Sequence, residues 1–268
     1  MNIESVGIIG AGFVGSAIVE SIEWSSLSSG IIIDPAKGYT NTYNDILKCV
    51  AVFVCVPSPQ SDDGSCDTSI LESVLLELKK VEFTGVIISK CTAPPDVYTR
   101  LNELYPNLVH SPEFLTAANA FRDYTSGKFA IIGGKIPAYR REAERIIRFT
   151  QPSLEAVEHC SIGEAALAKY TINSFLATKV VFMNEMYEVA NAAGLDYANI
   201  SKLVSLDPRI GDSHLKVPGI DGLLGFGGMC FPKDTEALLK YAESVNVNLN
   251  VLDAAVKKNT LLRLQESK

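Results

Sequence analysis

A chain of 268 residues holds two modest domains or one large one. Hydrophobic residues make up 47% and charged residues 21%, the composition of a globular protein with ample core. A formal charge of −7 excludes bulk attraction to nucleic acid or to an anionic membrane, so any phosphate must be held by a local site.

Val6 to Ile9 reads as a short strand ending at Gly10, followed by a helix over Ala11 to Ile22 with Val14, Ala17, Ile18 and Ile22 on one face. Ile31 to Asp34 and Val50 to Val56 are two more buried strands, the second closed by Pro57-Ser58-Pro59. A helix is predicted over Asp67 to Lys79, a strand at Val86 to Ile88, a helix over Pro95 to Tyr105 and a strand at Leu108-Val109. Phe129 to Ile132, a helix from Pro137 to Phe149 and a strand near Ala156-Val157 complete the alternation. Continuous apolar strands alternating with helices predict an α/β fold, a Rossmann-type doubly wound parallel sheet covered on both faces. After Cys160 the pattern becomes helical: one long helix from Ile162 to about Ala193, a second near Tyr197 to Val204, and further helices from Thr235 onward, the last over Val251 to Leu264. A Gly- and Pro-rich loop separates them at Lys216 to Gly228. The expected domains are therefore 1–160, a dinucleotide-binding unit, and 161–268, an all-helical unit.

The longest apolar run, Cys49 to Val56, is too short to span a bilayer. The opening Met1-Asn2-Ile3-Glu4-Ser5 has no basic region or small-residue cleavage site, so no secretory signal is expected. None of the six cysteines (49, 55, 66, 91, 160 and 230) forms a C-x-x-C pair, which fits a reduced, cytoplasmic setting. Histidines at 110, 159 and 214 have no ligand-like spacing, and no metal site is expected.

Gly10-Ala11-Gly12-Phe13-Val14-Gly15 matches G-x-G-x-x-G between a strand and a helix. The first glycine makes the tight turn, the second admits a pyrophosphate against the backbone, and the third lets helix pack on strand. The helix amino end then offers free N–H groups to phosphate. Asp34 ends the next strand, where a carboxylate accepts from the ribose hydroxyls and repels a 2′-phosphate; the expected cofactor is NAD rather than NADP.

Farther along, Lys169 and Asn173 stand four apart and share a helical face, with Glu164 a turn earlier. A lysine beside an amide can stabilise an oxyanion. In Gly225-Phe226-Gly227-Gly228-Met229-Cys230-Phe231-Pro232-Lys233-Asp234-Thr235, glycines let a substrate approach backbone and sulfur, Lys233 can favour a thiolate, and Asp234 can accept a proton.

That segment resembles the G-F-G-G-S-C-F-x-K-D signature of the nucleotide-sugar dehydrogenases, the UDP-glucose/GDP-mannose 6-dehydrogenase family. Further matches follow in family order: the glycine turn, Val56-Pro57-Ser58-Pro59 (like V-P-T-P), Ser111-Pro112-Glu113-Phe114-Leu115, Glu164 with Lys169 and Asn173, Asn184-Glu185, and Arg209-Ile210-Gly211. The resemblance implies oxidation of a primary alcohol to a uronate, as in polysaccharide biosynthesis, with two NAD used in succession. It assigns Cys230 as nucleophile for a thiohemiacetal and then a thioester, and Glu113 as activator of the hydrolytic water. Lys169 and Asn173 become oxyanion stabilisers, and Asp234 a proton carrier through bound water. It puts Thr92 near cofactor and reacting centre, adds Val56, Pro57, Ser58 and Lys233 to the cofactor set, and makes Phe114, Leu115, Phe226 and Gly227 substrate contacts. Arg209 is implied to reach a neighbouring subunit's sugar site and the long helix to be a dimerisation helix, so a homodimer is expected.

Family members continue into a third domain that binds much of the nucleotide. This chain ends at Lys268, so the expectation is a short form, with a smaller sugar substrate, a separate chain supplying the missing domain, or weak activity. Met229 replaces a small residue, Cys91 precedes Thr92 where serine is common, and Ser126-Gly127-Lys128 stands where P-D-R is frequent. Two other readings remain: a two-electron hydroxyacid dehydrogenase of the 6-phosphogluconate/β-hydroxyacid type, which also carries K-x-x-x-N, and a non-catalytic NAD-binding partner.

Overall fold

The computed structural model describes residues 5–24, 30–116 and 119–265. Most of the opening segment Met1 to Ser5, with its signal reading, lies outside the described residues. The chain divides into two compact units, Met1–Pro59 with Cys66–Lys169 and Gln60–Ser65 with Tyr170–Lys268.

Unit 1 is built on seven strands: β1 (Val6–Ile9), β2 (Ile31–Ile33), β3 (Ala51–Val54), β4 (Val86–Ser89), β5 (Leu108–His110), β6 (Phe129–Gly133) and β7 (Ala156–Cys160), in the order β2-β1-β3-β4-β5-β6-β7. Its helices are α1 (Phe13–Trp24), α2 (Ser69–Lys80), α3 (Pro95–Leu104), α4 (Ala120–Ser126) and α5 (Pro137–Thr150). Side chains alternate across each strand, so Val6, Ile8, Phe53, Val86 and Ile88 join one core with residues of α1, α4 and α5. Ile9, Val52, Val54 and Ile87 join the other with Leu71, Leu75, Leu78, Tyr98 and Leu101 of α2 and α3. This is the doubly wound arrangement expected for strands that read as unbroken apolar runs. The order reverses between β1 and β3, the place where such sheets leave a crevice at their carboxyl ends.

One expectation needs correcting. β1 to β5 are parallel, but β6 pairs with β5 antiparallel, through His110 opposite Gly133, and β7 runs parallel to β6. Among the described residues, the link from β5 to β6 holds one helix, α4, of seven residues, short of the full crossover that returns a chain to the start of a parallel strand. In this sense the residues following His110 run back along β6.

The long helix α6 (Ile162–Ala192) begins with a capping box: the Ser161 N–H donates to Glu164 Oε2 at 2.7 Å, and the Glu164 N–H to Ser161 Oγ at 3.3 Å. Glu164 is an exposed residue of the helix start. Unit 2 begins at Tyr170 inside α6 and adds α7 (Tyr197–Val204), α8 (Phe231–Ser244) and α9 (Asn250–Gln265). α8 starts four residues earlier than its periodicity suggests, because Pro232 fits a first turn, where an N–H has no partner to lose. Ala177, Val181, Phe226 and Ala255 form one small core here, and Met183, Ala190, Tyr197 and Leu215 another. No described helix is long and apolar enough to cross a membrane, and no described cluster of His, Cys, Asp and Glu could hold a metal ion.

Candidate active site

In unit 1 the three glycines of the first turn have distinct surroundings. Gly10 has φ +90°, and a Cβ there would lie 2.8 Å from the Cys55 carbonyl oxygen at the end of β3. A Cβ on Gly15 would lie 1.9 Å from the Gly10 carbonyl oxygen, so α1 approaches β1 more closely than any side chain allows. Around Gly12 nothing lies within 4 Å of the added atom, and this face of the turn is open. Phe13 and Val14 form the first turn of α1 and are partly buried.

Asp34 follows β2 and its Oδ2 accepts from the Ala11 N–H at 2.8 Å, tying the second strand's end to the turn. On the other side of β1, Val56-Pro57-Ser58 follows β3. Ser58 is buried, and its hydroxyl has no hydrogen-bond partner. An open glycine face beside an orphaned hydroxyl at the reversal of strand order fits a dinucleotide. Thr92, just past β4, is partly buried, and its carbonyl accepts from the Cys66 thiol at 3.4 Å.

Beyond β5 the chain presents Glu113 on the segment lying against β6. Its side chain is 13% exposed and pairs with the Lys90 ammonium at 3.2 Å. The Phe114 N–H donates to Glu113 Oε1 at 2.9 Å. Oε2 is buried, and the ion pair lacks the alignment of a hydrogen bond. The Lys169 ammonium donates to the Glu113 carbonyl oxygen and lies 5.0 Å from the centre of the Phe114 ring. Phe114 also packs on Phe129 at 5.2 Å between centroids, and Leu115 packs against the core. A cavity of about 180 Å³ is lined by Lys90, Glu113, Phe114, Asp123 and Gln151, among others. Close by, His110 is fully buried, stacked on Tyr98 at 4.2 Å, with Nδ1 3.1 Å from the Ser89 carbonyl. Burial, aided by the nearby Lys90 and Lys169 charges, pushes its imidazole down to about 3, so it is neutral at pH 7.

In unit 2, Cys230 immediately precedes α8 and is partly buried, with a free thiol. The amino end of a helix favours negative charge placed there. The Asp234 carboxylate, 1% exposed, takes hydrogen bonds from Asn173 Nδ2 at 2.6 Å and from Lys233 Nζ at 2.5 Å. Lys233, expected in the cofactor set, thus spends a donor on its neighbour.

The glycine loop before Cys230 is clamped through its backbone. Asn184 Oδ1 accepts from the Gly225 N–H at 3.0 Å, and Asn259 both accepts from the Phe226 N–H and donates to the Phe226 carbonyl. Arg263 donates to the carbonyls of Phe226 and Gly225. A Cβ on Gly227 would lie 2.6 Å from Arg263 Nη2. The Phe226 side chain itself is core. Arg209 projects outward, its side chain 88% exposed and paired with Asp207.

Geometry thus groups Glu113 with Lys169 and Phe114 in unit 1, and Asn173 with Asp234 and Lys233 in unit 2. Sequence reasoning missed Lys90, Asn259 and Arg263. Lys90 left one readable signal, a lysine closing the apolar strand Val86-Ile87-Ile88-Ser89, at the sheet end where ligand chemistry collects. The two α9 residues left none, since their partners are backbone atoms of a distant loop.

Comparison with known proteins gives consistent matches. Residues 33–150 match the NAD binding domain of the UDP-glucose/GDP-mannose dehydrogenase family, and residues 163–261 its central domain. The glycine turn at 10–15 lies outside the matched residues. A UDP-glucose 6-dehydrogenase of Rickettsia felis is 31% identical over 233 residues, 82% of this chain and 50% of that protein. The chain spans about half the length of the curated relatives it matches. Among solved structures, a UDP-glucose dehydrogenase from Pyrobaculum islandicum superposes with a TM-score of 0.79 at 23% identity, over 97% of this chain and 68% of that one. A 3-hydroxyisobutyrate dehydrogenase from Mycobacterium tuberculosis gives 0.76 at 14% identity, over 95% and 92%. At these identities the structures establish the fold.

Proposed function

From the premise that the chain belongs to the UDP-glucose/GDP-mannose dehydrogenase family, we propose that it oxidises the primary alcohol of a nucleotide sugar to a carboxylate, with capture on Cys230. The observation that carries this reading is the setting of that thiol. It opens α8 after a loop whose backbone is clamped, in the same unit as the buried Asn173–Asp234–Lys233 cluster. A free thiol held at a helix start suits a nucleophile better than a core residue.

NAD, when bound, would supply the hydride acceptor, one molecule for the alcohol and a second for the captured aldehyde. Gly10, Gly12, Gly15 and Asp34 would hold its phosphates and ribose, with Val56, Pro57 and Ser58 along the opposite wall and Thr92 beside the reacting end. The Cys230 thiolate bonds to the aldehyde carbon, giving a thiohemiacetal and, after its oxidation, a thioester. Covalent capture keeps the aldehyde from diffusing away between the two oxidations. Lys169 and Asn173 stabilise the oxyanions. Asp234 relays protons through a water, its carboxylate held in place by Asn173 and Lys233. Glu113 accepts a proton from the hydrolytic water. Phe114, Leu115, Gly227 and the backbone of Phe226 would form the substrate walls. Domain 1–160 would carry most of the cofactor set together with Glu113, Phe114 and Leu115, and domain 161–268 Cys230 and the Asn173–Asp234–Lys233 cluster.

A homodimer through α6 belongs to the same proposal, with Arg209 serving the neighbouring subunit. Phe175, Phe182 and Val189 support it, lying seven apart on the helix at 67%, 55% and 59% exposure.

A screen of nucleotide sugars, UDP-glucose first, tests the reading by NADH yield. Two NADH per sugar, lost in Cys230→Ser, is the expected result. One NADH from a hydroxyacid, indifferent to that substitution, would establish instead the two-electron hydroxyacid dehydrogenase. NAD binding with no oxidation of either class would leave a binding partner without catalysis.

A further inference from the structure

We propose that Lys90 is a positioning residue for Glu113, fixing the carboxylate that takes the proton from the hydrolytic water; this rests on the role given to Glu113 above. Lys90 directly follows β4, its backbone N–H bound to the Val54 carbonyl, and its side chain is 2% exposed. A lysine is almost never buried so deeply without a partner. Its ammonium lies 3.2 Å from Glu113 Oε2 and 3.4 Å from Ser111 Oγ, and 5.7 Å from the Tyr124 ring centre. The other carboxylate oxygen accepts from the Phe114 N–H. Two restraints on two oxygens set the plane of the carboxylate, while Oε2 keeps its hydrogen-bonding capacity unspent. The remaining charged groups near it are otherwise engaged: Lys169 binds the Glu113 carbonyl, Asp123 binds Thr116, Lys128 binds Glu155, and His110 is neutral. Lys90 is thus the cation whose ammonium forms an ion pair with this carboxylate.

In the step concerned, the water oxygen bonds to the thioester carbon as Glu113 accepts one of its protons. The carbon–sulfur bond then breaks, the electron pair leaves on the Cys230 sulfur, and the acid product departs. A carboxylate that swings away loses this reaction and leaves the preceding oxidations intact.

The test mixes the full chain rapidly with UDP-glucose and NAD and follows NADH and intact mass together. Lys90→Met is expected to keep the first NADH burst, lose about 10- to 100-fold in steady turnover, and accumulate an adduct on Cys230. Lys90→Arg should recover part of the loss. In a Glu113→Gln background, Lys90→Met should cost nothing further, because the lysine acts only through that carboxylate. That double variant removes both charges together and serves also if the single one fails to fold. Lys90→Met with wild-type turnover and no adduct, or an undiminished extra loss in the Glu113→Gln background, would overturn the proposal while leaving the role of Glu113 standing. Glu113→Gln turning over freely without adduct, or a wild-type chain that forms neither NADH nor adduct, would remove the underlying reading and the proposal with it.

Discussion

Gly12 and Gly15 stand three residues apart in one motif yet answer to different constraints. A Cβ at Gly15 collides with the Gly10 carbonyl, so Gly15→Ala must push α1 off β1 and should cost about 1–3 kcal/mol or more of stability. Gly12→Ala meets nothing, so its melting curve should match wild type while NAD affinity falls, a contrast that calorimetry of the free chain and NAD titration will display. Equal destabilisation by the two would refute the assignment of the open face to a ligand. Both glycines were legible in the sequence because their roles depend on local backbone geometry. Lys90 was not, because its meaning comes from a carboxylate 23 positions away, brought to it only by the pairing of β4 with β5.

Among elements, α6 offers the clearest test of assembly. Its exposed residues at 175, 182 and 189 repeat every seven positions, the spacing of a helix that buries a stripe against another helix. Phe182→Glu should give a monomer by light scattering with unchanged helix content; a wild-type chain that is monomeric at every concentration removes the dimer. Strand and helix positions in unit 1 were readable from periodicity to within a few residues, since buried strands and amphipathic helices print their pattern directly. What escaped were α4, too short for a periodic stripe, and the direction of β6, which depends on how the connection folds rather than on which residues it contains.

At the scale of the molecule, one buried imidazole ties stability to pH. Folded His110 titrates near 3, whereas an unfolded histidine titrates near about 6.5. Between these values the unfolded chain binds a proton that the folded chain refuses, so stability falls as pH drops through that window, by about 1.4 kcal/mol per unit from this group. His214, also lowered by burial, adds to the slope. Carboxylates held low by partners, such as Glu72 beside Arg100, lose their contribution only on further acidification. Denaturant unfolding at pH 7 and pH 5 should therefore show about 2 kcal/mol less loss in His110→Gln than in wild type. An identical loss in both would mean that the ring takes up its proton in the native state.

The lone bridge from His110 to Gly133 carries one more consequence. Every other junction in the sheet is zipped over three to five residue pairs, so this is the line along which the sheet would tear first. The stretch of chain bearing Glu113 borders that seam, and any load that pries it apart would disarm the carboxylate before the rest of the unit had begun to unfold.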